Sequence, residues 1–295
     1  MVYIGESEEE TLERVTGLYE HYLPKVGALY GTDLSAVPLK DMNSLAADAG
    51  RIVWEQFVKE KKDAGETWVP DEELRGLARF ERKFLHWFTG LASRIITSRT
   101  MRSALMAYTP NGKCVYAHLQ RLSGLSDGEV ATAVVHELGH AVHDALADTD
   151  GLDYELRKAV EEGFAEYVSH EGFASQYDTP GAAEASEEGA AALETVAALK
   201  RLAGMTGHDL PENYVPASVM PYALGYVLFS EAAMNRLPPE WVLRHPPKEY
   251  AEIVLPQLYL DRVAEEFASE LPEGCALATE RWESFSQVGL FFVGE

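Results

Sequence analysis

Apolar residues recur at helical intervals through most of this chain. Residues 10–30 carry Leu12, Val15, Leu18, Tyr19 and Tyr22 on one stripe, interrupted at Pro24. Residues 44–62 repeat the pattern with Leu45, Ala49, Ile52, Val53 and Phe57. Residues 71–97 do so again with Leu74, Leu77, Phe80, Phe84, Leu85, Phe88, Leu91 and Ile95. Side chains three and four apart share a face of an α-helix, so residues 7–100 are predicted to be helical. The aromatics of the third segment, with Trp87 and His86 among them, read as helix-packing residues.

The period then changes. Residues 104–109 and 114–122 read as two strands, joined by Pro110-Asn111-Gly112-Lys113. Asn-Gly between apolar runs is a hairpin signal. Ser126-Asp127-Gly128-Glu129 follows and has the form of a capping box opening a helix. Behind it Val130, Val134, Val135, Leu138, Ala141, Val142 and Ala145 form an apolar surface at helical spacing. A further helix is predicted from near Asp153. Downstream, residues 183–203 form an Ala-rich amphipathic helix and residues 221–235 another. Prolines at 238–239 and 246–247 break the pattern. Residues 248–271 are helical with an interruption at Pro256, and residues 288–293 suggest a closing strand or a buried tail. The predicted class is therefore α+β, mostly helical, with a small sheet just before one long helix. The expected organisation is a helical N-terminal region at 1–100, a core at 101–237 and a mostly helical C-terminal region at 238–295.

Composition narrows the function. The net charge of −23 repels phosphate backbones and anionic lipid surfaces, so neither nucleic acid nor membrane is an expected partner. No apolar run is long enough to span a bilayer, and the first residues lack the basic and apolar parts of a signal peptide. The two cysteines, Cys114 and Cys275, make no disulfide framework and no metal-binding spacing. A cytoplasmic location is the expectation.

The candidate chemistry lies on the two helices after the hairpin. His136-Glu137-Leu138-Gly139-His140 places two histidines four residues apart. Residues at that spacing differ by about 40° in direction, so both imidazoles leave one face about 6 Å apart. One divalent cation can take both, and Glu137 can reach a water on it. The next helix carries Glu161-Glu162-Gly163-Phe164-Ala165-Glu166. A catalytic zinc takes three protein ligands and keeps one position open for water. Either Glu162 or Glu161 supplies the third ligand in this reading. Glu137 then acts as general base toward the water and returns the proton to a leaving amine. His143, one turn beyond His140 on the same face, supports the site or ligates in a different geometry. His118, on the predicted strand, has the option of pointing at the cleft. His21, His86, His170, His208 and His245 have no partner in spacing and are read as structural.

HELGH followed by EGFAE resembles the gluzincin group of zinc peptidases, which includes thermolysin-like enzymes and zinc aminopeptidases. The aminopeptidase motif Asn-Glu-Gly-Phe-Ala aligns with Glu161-Glu162-Gly163-Phe164-Ala165 and so implies Glu162 as third ligand. Glu166 occupies the position where several gluzincins place an acid that orients a metal-bound histidine. Pro221-Tyr222-Ala223-Leu224-Gly225 is similar to their Pro-Tyr-x-x-Gly segment, whose tyrosine donates to the oxyanion. That implies the role for Tyr222, with Tyr226 in reserve.

The resemblance covers roughly residues 103–229. It departs from the aminopeptidases in lacking a Gly-x-Met-x-Asn segment, in a longer gap between His140 and Glu162, and in overall length. The layout is closer to the compact minigluzincins with a helical N-terminal addition. It implies a zincin-like core, bound Zn2+, and a peptide or protein substrate; the hairpin either holds that peptide along an edge strand by backbone pairing or is a plain structural hairpin. The metal-centre pattern lacks the third histidine of metzincins, since Leu146 stands at that place, and the chain has no Gly-x-Ser-x-Gly. Three functions follow: a zinc metallopeptidase, a non-catalytic or self-inhibited regulatory module on the same fold, or a protease dedicated to one regulatory protein. The sequence leaves open whether cleavage is internal or terminal, and the oligomeric state.

Overall fold

The computed structural model describes residues 6–45, 48, 51, 54, 58, 104–149, 151–206, 218–272 and 275. The predicted helix at 71–97 and the tail at 288–293 lie outside them. The described chain is mostly helical with one three-stranded sheet, and none of its helices is long and apolar enough to cross a membrane. It divides into two compact units, one within residues 1–142 together with 179–182, the other within 143–178 and 183–295.

The first unit opens with helix α1, Glu8–Leu29. Its N-terminus is a reciprocal cap that periodicity alone did not reveal. Glu10 donates its N–H to Ser7 Oγ at 3.3 Å, and the Glu10 carboxylate accepts the Ser7 N–H at 2.8 Å. Pro24 was expected to break this helix and does not. A proline deprives the carbonyl four residues back of its donor. That residue is Glu20, and both it and Pro24 lie on the exposed face, where water can serve instead. In the predicted segment at 44–62 every described position is helical.

The sheet has the order β1-β3-β2, with β1 Leu39–Asp41, β2 Met106–Thr109 and β3 Cys114–Ala117. β1 was not expected; it adds parallel to β3, and β2 pairs antiparallel on the other side. The hairpin is present, but its turn is not the tight Asn-Gly form. Thr109 faces Cys114 across four connecting residues, and the left-handed position is Lys113, at φ 43°, not Gly112. The second strand ends at Ala117, well before residue 122. His118 makes the last ladder bond, its N–H to Leu105 O at 2.8 Å. The chain then turns into the short helix α2, Leu119–Leu122, which buries both leucines.

The ladder fixes which way β2 presents its amides. Val115, opposite Tyr108, donates its N–H toward β1, to Pro38 O at 3.0 Å. Antiparallel pairs alternate between bonded and unbonded, so Met106 and Tyr108 direct their backbone groups outward from the sheet. Among the described residues, β2 is an edge strand.

Helix α3, Asp127–Leu146, follows at once. Its capping box forms as read from the sequence. Ser126 N–H donates to Glu129 Oε2 at 2.7 Å, and Glu129 N–H donates to Ser126 Oγ at 3.3 Å. Val130, Val134, Val135, Leu138 and Val142 are fully buried; Ala145, expected on the same stripe, is exposed. Arg14 of α1 secures the entry to α3. Its guanidinium donates to the carbonyls of Leu122 at 2.8 Å and Leu125 at 3.0 Å, and to Asp127 at 3.1 Å.

The second unit is built on helix α4, Tyr154–Tyr167, whose N-cap Asp153 accepts the Leu156 N–H at 2.8 Å. α4 runs into a wider π-type turn, Val168–Gly172, and then a short 3-10 turn, Ala174–Gln176. Helix α5 spans Ala182–Thr206 and α6 spans Met220–Met234. α6 is buried around most of its circumference, from Ala223 through Ser230. Three short helices close the unit: α7 Pro239–Arg244 between the proline pairs, α8 Tyr250–Val254, and α9 Pro256–Glu266. Pro256 interrupts the C-terminal segment by starting a new helix, where its missing N–H is harmless.

Two glycines set how α4 meets α6. A Cβ on Gly163 would stand 2.2 Å from the Gly225 carbonyl carbon, and one on Gly225 would stand 1.9 Å from Ala159 O. Both obstacles are backbone and cannot rotate away. Gly225→Ala is expected to destabilise by about 2–4 kcal/mol, the overpacking strain exceeding the helix-propensity gain of about 1 kcal/mol. Gly17→Ala, on α1 with nothing within 4 Å of its Cβ, should stabilise by about 0.5–1 kcal/mol. Denaturant unfolding of the two variants checks the contrast; equal midpoints would refute the close-approach account.

Candidate metal centre

On α3 the two histidines face each other as their spacing predicts. His136 Nε2 and His140 Nε2 are 3.1 Å apart, with ring centroids at 4.8 Å and planes 81° to one another. Two nitrogens bound at about 2.0–2.1 Å in a tetrahedron stand about 3.3–3.4 Å apart. The observed separation is close to that edge. Opposing Nε2 atoms are therefore arranged as a pair of ligands would be.

The third donor comes from α4. One ligand atom from each of His136, His140 and Glu162 lies within 4.8 Å of the others, and this is the only such group of three among the described residues. The carboxylate in the group is Glu162 and not its neighbour Glu161. The upper bound of 4.8 Å exceeds a tetrahedral edge, and the rotatable Glu162 side chain can cover the difference. Two imidazoles and one carboxylate form a donor set suited to zinc. The residues present fit such an ion.

Glu137 is 7% exposed. Its Oε2 accepts the backbone N–H of Tyr108, from the outer edge of β2. This partner was not anticipated, because a backbone amide leaves no mark in a side-chain pattern. His118 follows β3 instead of lying within it, and precedes α2.

Within the second unit, Glu166 Oε2 is 2.9 Å from His170 Nε2. His170, read from the sequence as structural, thus has a carboxylate partner one turn back. The i, i+4 spacing of Glu166 and His170 was the available signal. Room for the ring depends on Gly189, where a Cβ would be 2.2 Å from His170 Cε1. His143 is buried, its ring centroid 6.5 Å from that of Phe164.

The two candidate tyrosines differ. Tyr222, in the first turn of α6, is half-buried, with Lys158 Nζ 5.9 Å from its ring centroid. Tyr226 is fully buried and donates its hydroxyl to Glu171 Oε1 at 2.6 Å. Ser230 donates to the same oxygen at 3.0 Å. Burial, reinforced by the hydrogen bond to Glu171, pushes the Tyr226 phenol well above its ordinary range. It stays protonated, with its proton committed to Glu171.

No protein-family model, no curated protein sequence and no solved structure matches this chain.

Proposed function

We propose that this protein is a zinc-dependent metallopeptidase of the gluzincin type, built on a zincin-like core and acting on a peptide or protein substrate. The observation that carries the reading is the convergence of His136, His140 and Glu162 donors within 4.8 Å, with Glu137 beside the first histidine on the same helix. His136, His140 and Glu162 would hold a zinc ion, which when bound would supply Lewis acidity to a substrate carbonyl and to a water. Glu137 removes a proton from that water and delivers it to the departing amine. Its burial keeps bulk solvent from competing for that proton. In this reading Glu166 and His143 support the metal ligands without binding the ion, Glu166 having one oxygen already given to His170. Tyr222 donates a hydrogen bond to the oxygen that gains charge. Met106, on the outer edge of β2, offers backbone groups with which an extended peptide can pair.

Purified protein should contain about one zinc per chain and should cleave members of a mixed peptide library. A chelator should abolish cleavage, and added Zn2+ should restore it. Metal-loaded, folded protein that leaves every library peptide intact over prolonged digestion would overturn the reading.

A further inference from the structure

We propose that the backbone amide of Tyr108 is a positioning group for Glu137, orienting its carboxylate toward the reacting water; the catalytic part of this role rests on the peptidase reading above. Three observations lead to it. First, β2 is the edge of the sheet among the described residues, and the ladder directs the Tyr108 N–H away from β3. That amide does no work in holding the sheet together. Second, it donates to one oxygen of Glu137, Oε2. Third, Glu137 is 7% exposed, in a helix whose neighbouring side chains Val134 and Leu138 are fully buried.

A carboxylate in such surroundings needs a hydrogen-bond donor to compensate for lost hydration. A main-chain donor suits this purpose because it has no rotamers of its own. The strand fixes the amide, and the amide holds Oε2 through one hydrogen bond. Oε1 remains to take the proton. The short connection from β3 through α2 to α3 places the edge strand and the histidine helix in one unit. The same piece of chain thus carries the base and the group that aims it.

The test has two arms. The first reads the hydrogen bond itself and needs no activity. Amide hydrogen exchange is measured residue by residue in wild type and in Glu137→Ala. An outward amide on an edge strand exchanges fast unless something accepts it. The Tyr108 amide should be protected roughly tenfold or more in wild type and lose that protection in the variant. Ala107 and Thr109, held in the ladder, serve as internal references. Equal Tyr108 exchange in both proteins overturns the proposal.

The second arm reads the role. Tyr108→Pro deletes the N–H without removing a ladder bond, and Tyr108→Ala deletes the ring but keeps the N–H. The comparison between them isolates the amide. kcat should fall about 10- to 100-fold further in Tyr108→Pro than in Tyr108→Ala, with KM and bound zinc alike in the two. Equal kcat in the two variants overturns the positioning role. Wild type that binds zinc and turns over nothing defeats the peptidase reading instead, and exchange still decides whether Tyr108 holds Glu137.

Discussion

Glu162→Ala is expected to strip the protein of its metal, and Glu161→Ala to leave it bound. The two glutamates are neighbours on α4, both half-buried. Their side chains leave the helix about 100° apart, so one ion next to the α3 histidines can be met by only one of them. The donor group contains Glu162. Losing a partner that merely supports a ligand costs about 10- to 100-fold in metal affinity, so loss of a ligand itself should exceed about 100-fold. Competition against a chromophoric chelator measures this directly.

Thermal unfolding gives an independent reading. A ligand that binds only the folded state raises stability by about 4 kcal/mol at a thousandfold excess over its dissociation constant. Wild type and Glu161→Ala should both gain stability on adding zinc, and Glu162→Ala should gain almost none. Alanine is the better helix former, so neither variant is expected to unfold α4. Equal metal loss in both variants, or full retention in Glu162→Ala, would dissolve the three-residue centre.

These residues were legible because their chemistry follows local periodicity. The capping box at Ser126 and the apolar stripe locate the start of α3 to within a residue, and Asp153 locates the start of α4. Given those two helices, the i, i+4 histidines must share a face. What was not legible depends on partners distant in sequence. β1 has only three residues, too few for a period to show, and it exists because β3 offers an edge. Leu119–Leu122 looked like more strand because apolar letters do not distinguish a ladder from a turn that buries two leucines. Pro24 is a breaker only when the carbonyl four residues back is denied water. Gly163 and Gly225 each looked like one letter of a family motif. Their common cause is that each backbone occupies the space of the other's missing Cβ. Tyr108 is the extreme case, since what it contributes to Glu137 is an amide that every residue but proline possesses.

The largest catalytic effect should come from Glu137→Gln, and it should come without loss of the metal. Glutamine matches glutamate in shape and keeps one carbonyl-type oxygen, so it can still accept the Tyr108 N–H. The fold, the tie to β2 and the two imidazoles then stay as they are. What disappears is a basic oxygen able to take a proton from water and pass it on. Positioned proton transfer contributes typically about 10²- to 10⁴-fold, so kcat should fall by that much, with KM within about threefold of wild type, because the ground-state complex is untouched. Zinc content and unfolding midpoint should match wild type. Glu137→Ala should match this loss and in addition release the Tyr108 amide, so the pair of variants separates proton transfer from the structural role of the carboxylate. A Glu137→Gln protein that turns over at the wild-type rate would remove Glu137 from the chemistry, leaving the His136–His140–Glu162 group as a metal site with some other base or no reaction at all.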